Sequence, residues 1–423
     1  MAWHPSIDPI VSREEMLRVS SVLAVVIVVC DLASAPSVRM ALWIASALAG
    51  CSLAILGIGQ RFGRFAESLH GMRGDEGTPF ATFNYHGNAG SYLNLILPAL
   101  FGLAYVVWQK EKSKWLRAVL ALAFLLVLAG VVINVSRGAI AIAALMLSAM
   151  GVWTLRESTR SRAPFSWRGT LMAGTLASAL VAAVSHFANG GTSLQRWEQM
   201  VKKPTGEVAR LMIWQITSPM AVDAGPFGNG PGTFKMLLPK SPRLGPEFYE
   251  KWILQEHEPG GRISMWSQAH QDYLQTIVEW GWLGAAMWGI VLLGGLARMM
   301  RSGKNDHGPN ATTERTMRFC AGLGIITVCL NAAFDFPFQI FPVQLQLAMW
   351  LGLAWCAPEW EHSSPEASSP AATTLGGAGV PQNETGNPRN GDGEARRFAI
   401  LDPAMVDTGM VVPQPADSSP PKS

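Results

Sequence analysis

The sequence predicts an all-α, polytopic helical membrane protein, and three observations carry that prediction. Hydrophobic residues make up 49% of the chain and charged residues only 15%. Mean hydropathy is +0.20, too apolar for an ordinary soluble globule. The apolar residues are also gathered into long blocks, among them residues 21–30, 40–58, 93–107, 116–133 and 139–150. These blocks show neither helical amphipathicity nor strand alternation. A run of about 20 apolar residues crosses a hydrocarbon core about 30 Å thick, where only helices or closed barrels satisfy the backbone. Helices are the economical solution.

Taken in order, the blocks give about nine candidate spans, at roughly 17–33, 39–59, 88–108, 115–134, 137–155, 170–188, 271–297, 318–334 and 340–357. Three connections are crowded with cations. Lys110, Lys112, Lys114 and Arg117 mark one; Arg156, Arg160, Arg162 and Arg168 the second; Arg298, Arg301, Lys304, Arg315 and Arg318 the third. Cytoplasmic loops carry the Lys/Arg excess, so these three face inward. Four connections then face outward: residues 60–87, 134–136, 189–269 and 334–338. Counting back places the N-terminus outside. That requires a misread weak span, or a first segment lying along the interface.

The chain divides into residues 1–87 (amino-terminal membrane helices and first outer loop), 88–357 (membrane core) and 358–423 (cytoplasmic tail). The tail is rich in Ser, Pro, Gly and Ala and is expected to be disordered. The outer segment 189–269 is too long for a simple connector. Within it, residues 206–218 would form a helix on the membrane surface, with Val208, Leu211, Met212 and Trp214 facing lipid. A net charge of +3 is too small to argue for nucleic acid. The five cysteines fall in apolar blocks without metal spacing. Residues 1–18 are mixed polar and do not read as a cleavable leader.

Five clusters of chemically capable residues fall on the outer side, a placement the charge rule makes without reference to them. Asn84, Tyr85, His86, Gly87 and Asn88 lead into the third span, where the asparagines bind sugar hydroxyls or cap a helix. Ser136, Arg137 and Gly138 open the fifth span. An arginine at that boundary either snorkels or shares an anion with the helix N-terminus. Arg210 and Trp214 lie one turn apart. The guanidinium suits phosphate oxygens bidentately, or pairs with Glu207; the indole stacks on it or sits at headgroup depth. His270 with Tyr273, followed by Glu279, Gly281 and Gly284, opens the seventh span, with His270 a general base or an interfacial cap. Asp335, in the last outer turn, caps the ninth span or pairs with an arginine.

Other patterns count against alternative chemistries. The glycine-rich string at 225–234 lacks the Gly-Lys-Ser/Thr ending of a phosphate loop, and no strand precedes it, so it reads as a rigid turn. His257 and His270 have no metal spacing, and no Asp-x-Asp pair is present. No metal and no cofactor is therefore expected.

In this order and spacing the motifs resemble the O-antigen ligase and polymerase family. They are Asn84 and Asn88; Ser136-Arg137-Gly138; Arg210 with Trp214; Gly228, Gly230 and Gly232 before Thr233-Phe234; His270 with Tyr273-Leu274; Glu279, Gly281 and Gly284; and Asp335-Phe336. The similarity runs over about residues 82–353. The resemblance implies a GT-C-like membrane enzyme of the bacterial inner membrane whose large periplasmic loop covers the site. It implies transfer of a glycan, with inversion and without metal, from undecaprenyl pyrophosphate to a hydroxyl of an acceptor glycan, lipid A core or protein. By matching position, Arg137 and Arg210 would hold the pyrophosphate and His270 would take the acceptor's proton, with Asn84, Asn88, Trp214, Tyr273 and Asp335 contacting substrate. Family members usually have around a dozen spans; this chain shows fewer, chiefly before Asn84. The competing readings are a transporter, which would show paired broken helices or repeat symmetry, and a non-catalytic member of an export assembly.

Overall fold

The computed structural model describes residues 6–63, 79–110, 113–134, 136–161, 205–242, 244–245, 267–301, 311–358 and 360. The sixth predicted span at 170–188, His257, Lys112, Arg162, Arg168, Lys304 and the tail at 361–423 lie outside them. The described residues are helical, with a single isolated bridge between Phe80 and Phe83. The helices are α1 (Pro9–Leu32), α2 (Pro36–Arg61), α3 (His86–Lys110), α4 (Lys114–Ile133), α5 (Arg137–Ser161), α6 (Thr205–Asp223), α7 (Phe234–Leu237), α8 (Asp272–Arg301), α9 (Ala311–Ala332) and α10 (Phe341–Cys356). Helices α2, α3, α4, α5 and α8 are long and apolar enough to cross a membrane. Eight of the predicted spans coincide with α1 to α5 and α8 to α10.

The outer surface is apolar as well as the core. Trp115, Leu122, Leu145, Val152, Ile290 and Leu293 stand 61% to 79% exposed on α4, α5 and α8, a belt that water would not tolerate and lipid does. The interior is built on α3, which packs against α2, α4, α5, α9 and α10. Trp43 of α2 meets Trp350 of α10 edge-on at 5.1 Å, and the Trp350 indole donates to the Leu95 carbonyl at 3.3 Å. Gly102 of α3 makes the first contact possible, because a Cβ there would sit 2.4 Å from the Trp43 ring.

Contacts fix which helix ends share a face. At one face Glu157 of α5 is ion-paired with Arg315 of α9, Arg39 lies 3.8 Å from Glu314, and Arg39 stacks on Trp360 at 4.6 Å. At the other face the loops before α3, between α4 and α5, before α8 and between α9 and α10 touch one another, as described below. The alternation read from charge is thus kept by the helices. The N-terminal segment follows it too. Ile7 N–H donates to the Asn229 carbonyl, the Ser12 hydroxyl to the Pro231 carbonyl, and Arg18 to the Gln339 carbonyl, all on that second face. Further along, Val29 packs on Gly352 near the opposite end of α10. Helix α1 therefore packs beside and parallel to α10 along its length.

Candidate functional site

Two local features build the site's frame. Helix α8 breaks at Gly281, whose φ of 69° and ψ of −177° interrupt the helical ladder. The glycine string at 225–234 repairs the break. Asn229 and Gly230 N–H donate to the carbonyls of Val278 and Glu279, while Trp282 and Leu283 N–H donate to the carbonyls of Gly225 and Pro226. The Glu279 carboxylate, 1% exposed, accepts from Gly232 and Phe234 N–H at 3.0 and 3.2 Å. Gly228 and Gly281 meet backbone to backbone, both at positive φ; a Cβ on either would fall 2.4 Å from the other's nitrogen. The expected rigid turn is a splint for a broken helix. In the same way Asp272, fully buried, accepts from Phe338 N–H at 2.7 Å and from the Gln339 amide at 3.2 Å, tying the start of α8 to the turn before α10.

Within this frame four distant segments converge. His270 Nδ1 lies 3.2 Å from Asp335 Oδ1. Arg210 donates to the Tyr85 hydroxyl at 2.8 Å. Tyr85 is stacked on Phe336 at 5.6 Å, and its ring meets His270 edge-on at 6.3 Å. The Trp214 indole donates to the His270 carbonyl at 3.1 Å. His270 itself holds a φ of 51°, a left-handed conformation that costs a non-glycine residue about 1–3 kcal/mol and that surrounding contacts must impose. The Trp214 bond, the Ala269 N–H to Gln275 bond at 3.0 Å and the Asp335 contact are among those that hold it there. Burial is the largest influence on the Tyr85 phenol and pushes it up to about 12. Asp335 adds to the rise and Arg210 opposes it. The phenol therefore keeps its proton while its oxygen accepts from arginine.

The sequence-predicted residues divide. Arg210, Trp214, His270 and Asp335 meet. Arg137 opens α5 on the same face, half-buried, where the α5 start abuts α3: Gly90 faces Asn134, Ser136 and Ala139, and the Asn134 amide donates to the His86 carbonyl. Asn88 is buried and its Oδ1 has no hydrogen-bond partner, so it is not a helix cap. Asn84 is exposed. Tyr273 is 40% exposed, and its hydroxyl donates to the Cys329 carbonyl at 2.7 Å, which ties α8 to α9.

Two expectations are corrected. Trp214 neither faces lipid nor stacks on Arg210. It turns inward because α6 buries a second face through Ile213, Ile216 and Ala221 against Ala269 and Val278, and that packing swings Trp214 toward His270. Asp335 pairs with histidine rather than with an arginine or a helix end. Sequence reasoning missed Tyr85 and Phe336 as functional residues. Both stood inside motifs already singled out, Tyr85 between the two asparagines and Phe336 beside Asp335. Their joint role depends on a contact across some 250 residues of chain, which no local pattern records.

A family model described as O-antigen ligase matches residues 122–289. The matched stretch includes Arg137, Arg210, Trp214, His270 and Tyr273, while Tyr85 and Asp335 lie outside it. No curated protein matches the chain. The resemblance carried by the motifs is borne out over this stretch.

Proposed function

With residues 122–289 matching the O-antigen ligase family, we propose that this chain is a lipid-linked glycosyltransferase. It moves a glycan from undecaprenyl pyrophosphate to an acceptor hydroxyl at the periplasmic face of the bacterial inner membrane. The observation that carries this reading is the meeting of an arginine–tyrosine pair and a histidine–aspartate pair on one face of the bundle. The acceptor oxygen attacks the anomeric carbon, and the bond from that carbon to the pyrophosphate oxygen breaks with inversion. The electron pair leaves on pyrophosphate, whose growing charge Arg210 and Arg137 stabilise beside a low-dielectric layer. Asp335 at Nδ1 sets the imidazole tautomer, so that the other ring nitrogen of His270 takes the acceptor's proton. Such a positioned base contributes about 10²–10⁴-fold. The Tyr85 hydroxyl, oriented by Arg210, donates toward the same phosphate oxygens.

The test is substitution with surface glycan as readout. Arg210→Lys keeps the charge but loses the planar fork, so transfer falls by at least about tenfold at equal protein level. Normal glycan amount and length with Lys would rule out the clamp. Deleting the gene separates the two branches of the family: short chains mean a lost polymerase, and unattached full-length chains a lost ligase.

A further inference from the structure

The turn between α4 and α5 sits directly on the first turns of α3, and a glycine makes that possible. A Cβ at Gly90 would fall 2.6 Å from the Ala139 Cβ and 2.7 Å from the Asn134 amide nitrogen. Two asparagines bond across this contact in opposite directions. Asn134, just past the end of α4, donates its amide to the His86 carbonyl of α3 at 2.6 Å. Asn94 of α3, one turn beyond Gly90, donates to the Ala139 carbonyl of α5 at 2.9 Å. Arg137, the first residue of α5, lies between the two attachments in the chain.

Neither bond is needed to satisfy the backbone. In the first turns of α3 and α5, the His86 and Ala139 carbonyls already accept from the N–H four residues on. Both asparagines are 0% exposed, and among the described residues neither Oδ1 atom has a hydrogen-bond partner. A buried amide whose oxygen is unmatched costs at least what its one donated bond returns. The two side chains therefore supply register and little stability. That register reaches the arginine–tyrosine pair. His86 follows Tyr85, whose hydroxyl accepts from Arg210, and the Tyr85 and His86 rings meet at 4.8 Å.

We propose that Asn134 and Asn94 are positioning residues that fix the start of α5, and with it Arg137, at a set distance from the Tyr85–Arg210 pair. Two guanidiniums carried by separate helices then address one pyrophosphate. This rests on the transferase reading above and adds to it two residues that act through Arg137, not on the substrate.

Asn134→Ala and Asn94→Ala, each in the full chain, should lower transfer to surface glycan about 10–100-fold at equal protein level, the effect of a misplaced group. Their unfolding temperatures in detergent should stay within about 2 °C of the wild type. The residual transfer of Arg137→Ala should fall by less than about twofold when either substitution is added, because the effect passes through that arginine. Gly138 is exposed, and a Cβ there meets nothing within 4 Å. With the five native cysteines replaced, spin labels on Asn84→Cys and Gly138→Cys should give a narrow distance distribution that broadens with Asn134→Ala. A melting temperature that drops by several degrees along with transfer would make the asparagines structural and overturn the proposal. Unimpaired transfer, a full further loss in the Arg137→Ala background, or an unbroadened distribution overturns it as well. Broadening in a chain that transfers no glycan even as wild type would leave the asparagine staple standing and remove the transferase reading alone.

Discussion

At the scale of single residues, the proposed chemistry rests on two pairs, one for charge and one for proton transfer. In the proposed reaction, Tyr85 orients Arg210 and keeps its own proton to donate to the phosphate. Replacing Tyr85 with Phe removes one hydrogen bond to a charged group, worth about 1.5–3 kcal/mol, so transfer should fall about 10–100-fold with protein level unchanged. Because burial raises the phenol from 10 to about 12, the neutral form persists through the range in which activity is assayed. The sign follows: the folded state holds this proton more tightly than the unfolded chain, so the contribution is full below pH 10 and fades as pH climbs toward 12. Tyr85→Phe should therefore lower the rate by a constant factor below pH 10, leaving the shape of the pH profile unaltered. A changed alkaline limb in that range would mean that the phenol, not the histidine, titrates during turnover.

Among the elements, the broken helix and its glycine splint matter most for positioning. The first turns of α8, with His270 just ahead of them, carry Asp272 and Gln275 toward the turn before α10, and the helix breaks behind them at Gly281. Gly281→Ala places a Cβ 2.4 Å from the Gly228 nitrogen and strains a φ of 69°. The strain alone costs about 1–3 kcal/mol, and displacement of the splint adds to it. Thermal unfolding in detergent should drop by several degrees, whereas Gly151→Ala should not lower it. Glu279→Ala leaves the buried Phe234 N–H without its acceptor, at about 1–3 kcal/mol, and removes the half-buried Gly232 N–H bond as well. Its unfolding temperature should fall as far as that of Gly281→Ala, since both release the same loop. A wild-type melting curve for either variant would mean that the loop is held by something other than the kink.

For the whole molecule, sidedness is the property on which the function depends, and cysteine labelling of intact cells reads it directly. With the five native cysteines replaced, Asn84→Cys and Gly138→Cys should react with an impermeant maleimide from outside, and Arg298→Cys only after the cells are opened. Labelling of positions 84 and 138 on different sides would separate the Tyr85 and Arg137 clusters and end the site. Sequence alone marked the helices that coincide with eight of the nine expected spans, because a lipid solvent imposes length and apolarity on each helix independently. It also marked the segments that bear Arg210, His270 and Asp335. The tertiary structure decided the partnerships: the Asp335–His270 and Arg210–Tyr85 pairs, the inward turn of Trp214, the passage of α1 beside α10, and the use of a glycine string to mend α8. Those depend on which helix packs against which. Within a membrane, where every span is similarly apolar, that choice is made by side-chain shape across hundreds of residues and leaves no periodic trace in the chain.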